Sequence, residues 1–460
     1  MEWSIPRIVI AATKSSSGKT TIVSGLLAAL RKRGLKVQPY KIGPDYIDPG
    51  YHQLASGQPS HNLDSWLMSK ETMQQVFINN AIKSDMAIIE GVMGLYDGGT
   101  KGISSTAEIA KLLSAPVVIV IDCKSMGASA AALALGFREY DREVQLAGVI
   151  LNRLGSKNHE KLIREAMERV SIPVLGCVHR NDDFHMPERH LGLLPMEENS
   201  NLGFVEALGE KLAQELDIEQ IIKLAHNASP MLQLEPPAHG GASSVVKIGL
   251  ARDEAFSFYY PESIRALEEN GAKLVEFSPL EATSLPEVDG LIFGGGFPEM
   301  FAAKLSANQE LRSFIKNKAE AGMPIYAECG GFMYLSGSLE DFDGRIYQMC
   351  NILPCRVRMN DKLQMVGYVT AELEHDCILG PRGTRINGHE FHFSSEIDGG
   401  NSSGRAFSFI RSRNGEKYYG GYCQNNVLGS YLHMHFAGYP RVAESFVKAC
   451  LKYKTEKRIN

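Results

Sequence analysis

Along the first half of the chain, short unbroken apolar runs alternate with stretches in which apolar residues recur every three or four positions. The runs are Arg7–Ala11, Lys36–Ile42, Met86–Ile89, Pro116–Ile121, Leu146–Leu151 and Ile172–Cys177. Runs without polar alternation predict strands buried on both faces, as in a parallel sheet. After the first run, Thr20–Arg33 carries Ile22, Val23, Leu26, Leu27 and Leu30 on one helical face, with Gly34 placed to cap its C-terminus. Strands and helices in alternation predict an α/β domain with a doubly wound parallel sheet.

The segment Leu224–Ser244 has no period and is rich in Pro, Gly, Ser and Ala, which predicts an interdomain linker. A second α/β series starts at Val245. Val246–Ala251, Lys273–Phe277, Gly290–Phe293 and Pro324–Ala327 read as strands, and Pro261–Asn270 and Leu311–Ala321 as helices. After about Gly367 the pattern shifts to shorter β-type runs with turns. The expected organisation is a first domain over 1–223, a linker over 224–244 and a second domain over 245–460. A chain of 460 residues is long enough for two cores.

Composition narrows the class. Apolar residues make up 44% and charged residues 22%, the balance of a soluble globular protein. A net charge of -5 leaves no electrostatic footprint for nucleic acid. Eight cysteines without a C-x-x-C pair predict reduced thiols and a cytoplasmic setting. The first residues lack a basic n-region and a small-residue cleavage site, and no apolar run approaches the roughly 20 residues of a membrane span. Small-molecule chemistry away from membranes is the expectation, with a homodimer as the expected assembly.

Two segments carry that chemistry. Between the first strand and helix lies Ala12-Thr13-Lys14-Ser15-Ser16-Ser17-Gly18-Lys19-Thr20-Thr21. A loop of small residues there aims backbone N–H groups at phosphate oxygens. Lys19 adds a positive charge, and the Thr20 hydroxyl is suited to Mg²⁺. Thr13 stands where the strict phosphate-loop pattern has its first glycine. Lys14, five residues before Lys19, matches the deviant loops of partition ATPases. A metal-bound triphosphate needs acids at nearby strand ends. Asp45 and Glu90 are the candidates, and Asp122 is a weaker one. Asn152 and Arg153, at another strand end, are placed to meet a base.

The second segment is Met323-Pro324-Ile325-Tyr326-Ala327-Glu328-Cys329-Gly330-Gly331, a strand that delivers a cysteine onto a sharp turn before a helix. This is the layout of a nucleophile elbow, and the helix start favours a thiolate. The Gly330 N–H forms one side of an expected oxyanion hole, and Gly295 and Gly296 of the Gly294-Gly295-Gly296 strand end form the other. Two histidines, His433 and His435, are available as the general base. His389 and His392 lie in Gly388-His389-Glu390-Phe391-His392. Their spacing puts them on opposite faces of a strand, so a lining or structural role is expected rather than a metal site. A phosphate site beside a thiol site predicts an enzyme that spends ATP on one substrate and frees a nucleophile from another.

These motifs resemble the cobyrinic acid a,c-diamide synthase family. The resemblance is carried by Tyr40-Lys41-Ile42-Gly43-Pro44-Asp45-Tyr46-Ile47-Asp48-Pro49-Gly50-Tyr51-His52, Asn62-Leu63-Asp64 and Glu90-Gly91-Val92-Met93-Gly94-Leu95-Tyr96-Asp97-Gly98. It extends through Ser430-Tyr431-Leu432-His433 and covers essentially the whole chain. It implies a dethiobiotin synthetase-like P-loop domain followed by a class I glutamine amidotransferase domain. It further implies ATP- and glutamine-dependent amidation of corrin acetate carboxylates through an acyl-phosphate, with Mg²⁺. By the same resemblance, Cys329 is the glutaminase nucleophile and His433 its partner. Thr20, Asp45 and Glu90 surround Mg²⁺-ATP, and Lys41, Asp48, Asp64 and Asp97 lie toward the substrate or intermediate. The family usually lacks an acidic third member of the glutaminase triad, and none stands out here. Ammonia made inside the protein escapes protonation by water, so a passage between the two sites is expected. Nickel-sirohydrochlorin and hydrogenobyrinic acid are alternative substrates. A partition-type ATPase switch with an inactive hydrolase-like domain is the alternative of another class.

Overall fold

The structure is a computed structural model describing residues 2–181, 188–189, 192–193, 202–232, 245–397 and 404–459. The chain divides into two compact units, one of Met1–Ser65 with Ser69–Pro236 and the other of Trp66–Met68 with Pro237–Asn460.

The first unit is built on a seven-stranded parallel sheet. Its spatial order is His61–Leu63, Val37–Ile42, Met86–Glu90, Arg7–Ala12, Val117–Asp122, Leu146–Leu154 and Val174–His179. Each of the six longer strands matches an apolar run to within one or two residues at its start, and the last three end one to three residues later. The three-residue strand His61–Leu63 is too short to leave a periodic signal. The first strand in sequence lies in the middle of the sheet, and the order reverses beside it. Doubly wound sheets bind ligands at the carboxyl ends of strands at such a reversal. Helix Lys19–Lys32 buries Ile22, Val23, Leu26, Leu27 and Leu30 against the sheet, and Gly34 takes φ 83° just past its end.

Arg7 sits fully buried at the start of the central strand, where a charge is unexpected. Its guanidinium donates to the carbonyls of Leu113 (2.5 Å), Ile5 (2.8 Å), Ser114 (3.2 Å) and Ser229 (2.5 Å). It thereby ties loop carbonyls from distant parts of the unit together. Burial pushes its pKa down to about 10.

The stretch read as a linker begins inside structure. Helix Ile218–His226 places Ile218, Ile221 and Ala225 in the core, and Met231–Leu232 pairs with Glu2–Trp3 as an antiparallel strand. A window opening at Leu224 sees only the last turn of that helix, so its period is lost. Residues 233–244 lie outside the described residues.

The second unit carries a ten-stranded sheet. Ala272–Phe277, Val246–Ala251, Gly290–Phe293, Ile325–Glu328 and Val427–Ser430 run parallel. Lys417–Gln424, Arg405–Arg411, Met365–Leu373, Arg385–His392 and His433–Met434 continue it antiparallel. A four-stranded sheet of three-residue strands (Ile346–Gln348, Ser338–Glu340, Val357–Met359 and Ser394–Glu396) accompanies it. The β-type pattern expected after Gly367 holds until Pro440, where the 20-residue helix Pro440–Ile459 begins. No helix among the described residues is long and apolar enough to cross a membrane.

Candidate active sites

In the first unit, the loop after the central strand opens onto a cavity of about 740 Å³. Ser15, Ser16, Gly18, Lys19, Thr20 and Thr21 line it, as do Asp45, Asp48, Glu90 and Asn152. The loop turns tightly. Thr13 N–H donates to the Val120 carbonyl (3.3 Å), Ser17 Oγ donates to the Lys14 carbonyl (2.9 Å), and Gly18 adopts φ 86°. A Cβ at Gly18 would lie 2.5 Å from Asn152 Nδ2, so only glycine fits. Asn152 itself donates to the Ser17 carbonyl (2.8 Å) and accepts from Arg153 N–H (2.8 Å). Its amide therefore braces the loop from its place in the cavity wall. Asp122 pairs with Arg153 (2.7 Å) and caps Lys124 N–H, a structural role.

Lys19 is buried, with Nζ donating to the Met93 carbonyl at 2.6 Å. Burial, reinforced by neighbouring Lys41, pulls its pKa down to about 8. The Thr20 hydroxyl donates to Glu90 (2.8 Å) and Asp48 (3.2 Å). Lys41 Nζ pairs with Asp48, with Glu90 at 2.9 Å and with Asp45 at 3.8 Å. Behind Glu90, His52 Nε2 lies 2.6 Å from Oε2, while His52 Nδ1 lies 3.1 Å from Ser60 Oγ. Burial opposes the charge on Glu90, yet Lys41 and His52 hold its pKa below the usual range. Burial likewise opposes the charge on Lys41, and Asp48, Glu90 and Asp45 outweigh it and push its pKa up.

Three residues of the cluster take neighbours that the sequence does not specify. Asp48, read as a substrate-side acid, stands beside Thr20 and Glu90. Asp45, read as their neighbour, spends Oδ1 on the N–H groups of Ile47 (2.9 Å) and Asp48 (3.1 Å) at the start of helix Asp48–Ser56. Lys41, read as lying toward the substrate, is buried among the acids and offsets their charge. Asp64 is fully buried and accepts from the Ser104 hydroxyl (2.7 Å), and Asp97 accepts from Gly94 N–H (3.1 Å). The cavity lining includes neither of these two. His52 escaped the sequence reading, because nothing in a lone histidine says which carboxylate it will meet.

The acid cluster fits Mg²⁺. Thr20, Asp48 and Glu90 present hard oxygen donors within hydrogen-bond reach of one another or of Lys41. Three carboxylates, Asp45, Asp48 and Glu90, face the two buried lysines Lys41 and Lys19, and burial together with Asp45 pushes the Asp48 pKa up. A divalent cation relieves that excess of negative charge. Among the described residues no three His, Cys, Asp or Glu groups are spaced to cage an ion by themselves. Mg²⁺ is commonly held by one or two carboxylates with phosphates and water completing its shell.

In the second unit, strand Ile325–Glu328 ends at Cys329, which adopts φ 45° and ψ -101° before helix Gly330–Leu335. That backbone region is strained for a residue with a side chain, and such strain marks nucleophile elbows. Cys329 N–H donates to the Ser430 carbonyl (2.8 Å), in register with the Glu328–Ser430 pairing of adjacent parallel strands. This pairing brings Tyr431–His433 to the elbow. His433 hydrogen-bonds the thiol of Cys329. Its Nδ1 lies 3.7 Å from Glu328 Oε2. Burial opposes protonation of His433, but Cys329 and then Glu328 outweigh it and push its pKa up to about 10. No acidic third member stands out in the sequence, and in the structure Glu328, directly before the thiol, is the acid beside His433. A residue adjacent to the nucleophile reads in sequence as strand, and only the cross-strand pairing reveals what it touches.

The glycine strand end packs on the elbow. Gly331 N–H donates to the Gly294 carbonyl (3.0 Å), and a Cβ at Gly330 would lie 3.0 Å from the Gly296 nitrogen. A Cβ at Gly295 would strike His433 Cε1 at 2.6 Å. His435, the other candidate base, is fully buried, its ring tilted against Tyr260 (4.8 Å, 31°). His389 stacks on His433 (4.8 Å, 9°) and His392 on Tyr431 (3.7 Å, 11°), so the two have separate partners, as their strand positions predict.

Comparison with known proteins agrees with this pairing of centres. Residues 8–194 match the family model of the CobQ/CobB/MinD/ParA nucleotide binding domain, and residues 247–440 match the CobB/CobQ-like glutamine amidotransferase domain. The cobyrinate a,c-diamide synthase of Dehalococcoides mccartyi strain CBDB1 is 46% identical, covering 96% of this chain and 98% of its own. That of Caldanaerobacter subterraneus subsp. tengcongensis is 43% identical (97% and 98%), and that of Picrophilus torridus 41% (97% and 99%). The chain belongs to the cobyrinate a,c-diamide synthase family and is a glutamine-dependent carbon–nitrogen ligase with a nucleotide-binding and a glutamine amidotransferase domain.

Proposed function

We propose that the chain amidates the a- and c-acetate carboxylates of cobyrinic acid, using ATP and glutamine, through an acyl-phosphate. The observation that carries this reading is the pair of centres, a phosphate loop facing an acid cluster and a thiol on an elbow beside the buried imidazole of His433.

At the second centre, the Cys329 thiolate attacks the side-chain amide carbon of glutamine, and the carbonyl electron pair moves onto oxygen. Backbone N–H groups of Gly295, Gly296 and Gly330 are the candidate donors to that oxyanion. Collapse breaks the C–N bond while His433 gives its proton to nitrogen. Ammonia leaves and a thioester remains. Water then attacks the thioester, passes a proton to His433 and releases glutamate with the thiolate restored.

At the first centre, a substrate carboxylate oxygen attacks the γ-phosphorus of ATP and ADP leaves. Ammonia then attacks the acyl carbon, phosphate departs and the amide forms. The loop N–H groups and Lys19 hold the phosphates, and Thr20 with Asp48 and Glu90 would hold Mg²⁺. When bound, the ion neutralises charge developing on the transferred phosphoryl group. Lys124, Arg153, Arg180 and Lys211 in the cavity wall suit a polyanionic nucleotide and a polycarboxylate.

Product mass tests the reading, with Mg²⁺-ATP, glutamine and either cobyrinic acid or nickel-sirohydrochlorin. Two successive amidations of cobyrinic acid are expected. Selective amidation of the nickel compound would keep the chemistry and change the substrate. Near-full-length relatives that are synthases weigh against the ATPase-switch alternative, for which glutamine hydrolysis would be absent.

A further inference from the structure

We propose that Glu328 is the third member of the glutaminase constellation, a positioning residue that receives the Nδ1 proton of His433 and turns Nε2 toward Cys329. This rests on the reading of Cys329 as the glutaminase nucleophile.

The carboxylate is anchored for that task. Its Oε1 accepts from the Tyr326 hydroxyl (2.6 Å) and from Met434 N–H (3.4 Å). Tyr326 and Glu328 share one face of their strand, because side chains two apart point the same way. Met434 directly follows His433. The same carboxylate therefore grips the nucleophile's strand and the histidine's strand together, leaving Oε2 toward His433. Glu328 is only 8% exposed, and burying a carboxylate is costly unless charged or hydrogen-bonding partners offset it. The separation of 3.7 Å is longer than a hydrogen bond, as catalytic contacts often are before substrate binds.

The rest of the surroundings packs the ring in place. His389, from the neighbouring strand Arg385–His392, stacks flat on the imidazole and is in register with it. Its own Nε2 meets the Tyr260 hydroxyl at 3.0 Å. Burial first, and then His433, keeps the His389 pKa low, so it adds no positive charge near neutrality. Glu390 also acts on His433 electrostatically, but its carboxylate is bonded to the Tyr418 hydroxyl, and burial lifts its pKa to about 7. His392, stacked on Tyr431, acts on His433 electrostatically as well, and burial lowers its pKa to about 4. Among the described residues, Glu328 is the carboxylate within ion-pair distance of His433.

The test compares Glu328→Gln, Glu328→Asp and Cys329→Ser with wild type in two assays, glutamine hydrolysis and ligation driven by added ammonia. Glu328→Gln keeps a carbonyl acceptor for Tyr326 and Met434 and puts an uncharged NH2 donor where Oε2 faces His433, so both the charge and the acceptor for Nδ1 are lost. Its glutaminase kcat should fall about tenfold or more with KM nearly unchanged, the size expected for a misaligned acid–base group. The alkaline limb of its pH profile should move to lower pH, because the imidazolium loses its counter-charge. Ammonia-driven ligation should persist, and Glu328→Asp should recover part of the rate. Unchanged kcat with an unmoved alkaline limb would overturn the proposal, as would parallel loss of both activities. If Cys329→Ser retains glutaminase activity, the reading of the nucleophile itself fails, which is a separate outcome.

Discussion

His52 offers the sharpest test of the nucleotide centre, because it lies outside the cavity lining and meets Glu90 from behind, with Ser60 at its other ring nitrogen. Replacing it with leucine keeps a buried apolar volume and removes both ring nitrogens. Glu90 Oε1 keeps Thr20 and Lys41, but Oε2 loses its contact at 2.6 Å inside a fully buried site. A hydrogen bond to a charged group contributes about 1.5–3 kcal/mol. Converted at about 1.4 kcal/mol per decade, that is roughly a tenfold to hundredfold change. The carboxylate should rotate to find another donor, so the loss should appear in Mg²⁺ use more than in folding. The assay is ammonia-driven ligation at varied Mg²⁺ with ATP saturating, beside a denaturant titration. The Mg²⁺ concentration for half-maximal rate should rise about tenfold or more, in line with losses on removing a residue that orients a metal ligand. Glutamine hydrolysis should stay at wild-type level. An unchanged Mg²⁺ dependence with unchanged stability would refute the idea that His52 positions Glu90.

Other consequences are simpler to state. Cys329→Ser should abolish glutamine hydrolysis and leave ammonia-driven ligation intact, read as glutamate release against amide product. Lys19 has a pKa lowered to about 8, so it loses its proton in the free protein as pH rises through that value. The KM for ATP should therefore climb above about pH 8, and Lys19→Met should raise it at every pH and erase the break. The same shift makes native-state stability rise between pH 8 and the ordinary lysine range, where the unfolded chain binds the extra proton. Gly296→Ala puts a Cβ 2.1 Å from the Ala255 carbonyl oxygen at φ 154°. Overpacking of this kind costs about 1–3 kcal/mol, and a lowered melting temperature with lost glutaminase activity is the expected result.

The parts legible in the sequence are those governed by local pattern. Strands buried on both faces have no polar alternation, so the central strands of each unit appear as apolar runs. The phosphate loop and the elbow show because glycines and small residues crowd at a strand end, where the backbone needs them. What the sequence hides depends on partners far along the chain. Asp48 reaches Thr20, His52 reaches Glu90 and Glu328 reaches His433 only after strands align. Asp45 and Asp48 are both acids on one short loop, and only the start of helix Asp48–Ser56 decides which one caps and which one faces Thr20. The three-residue strands of the four-stranded sheet are shorter than any window in which a period can be counted.

The cross-strand pairing of Glu328 with Ser430 has a bearing on synthesis of the protein. A ribosome delivers the thiol about a hundred residues before it delivers His433, a gap of roughly 5–20 s at ordinary elongation rates. Through that interval the nascent chain carries the thiol without the strand Val427–Ser430 that pairs beside it and without the imidazole. Nucleotide-unit residues have already emerged by then. On the mechanism proposed above, ammonia release starts only after its consumer has been made, and a chain broken off between Cys329 and His433 releases no glutamine nitrogen.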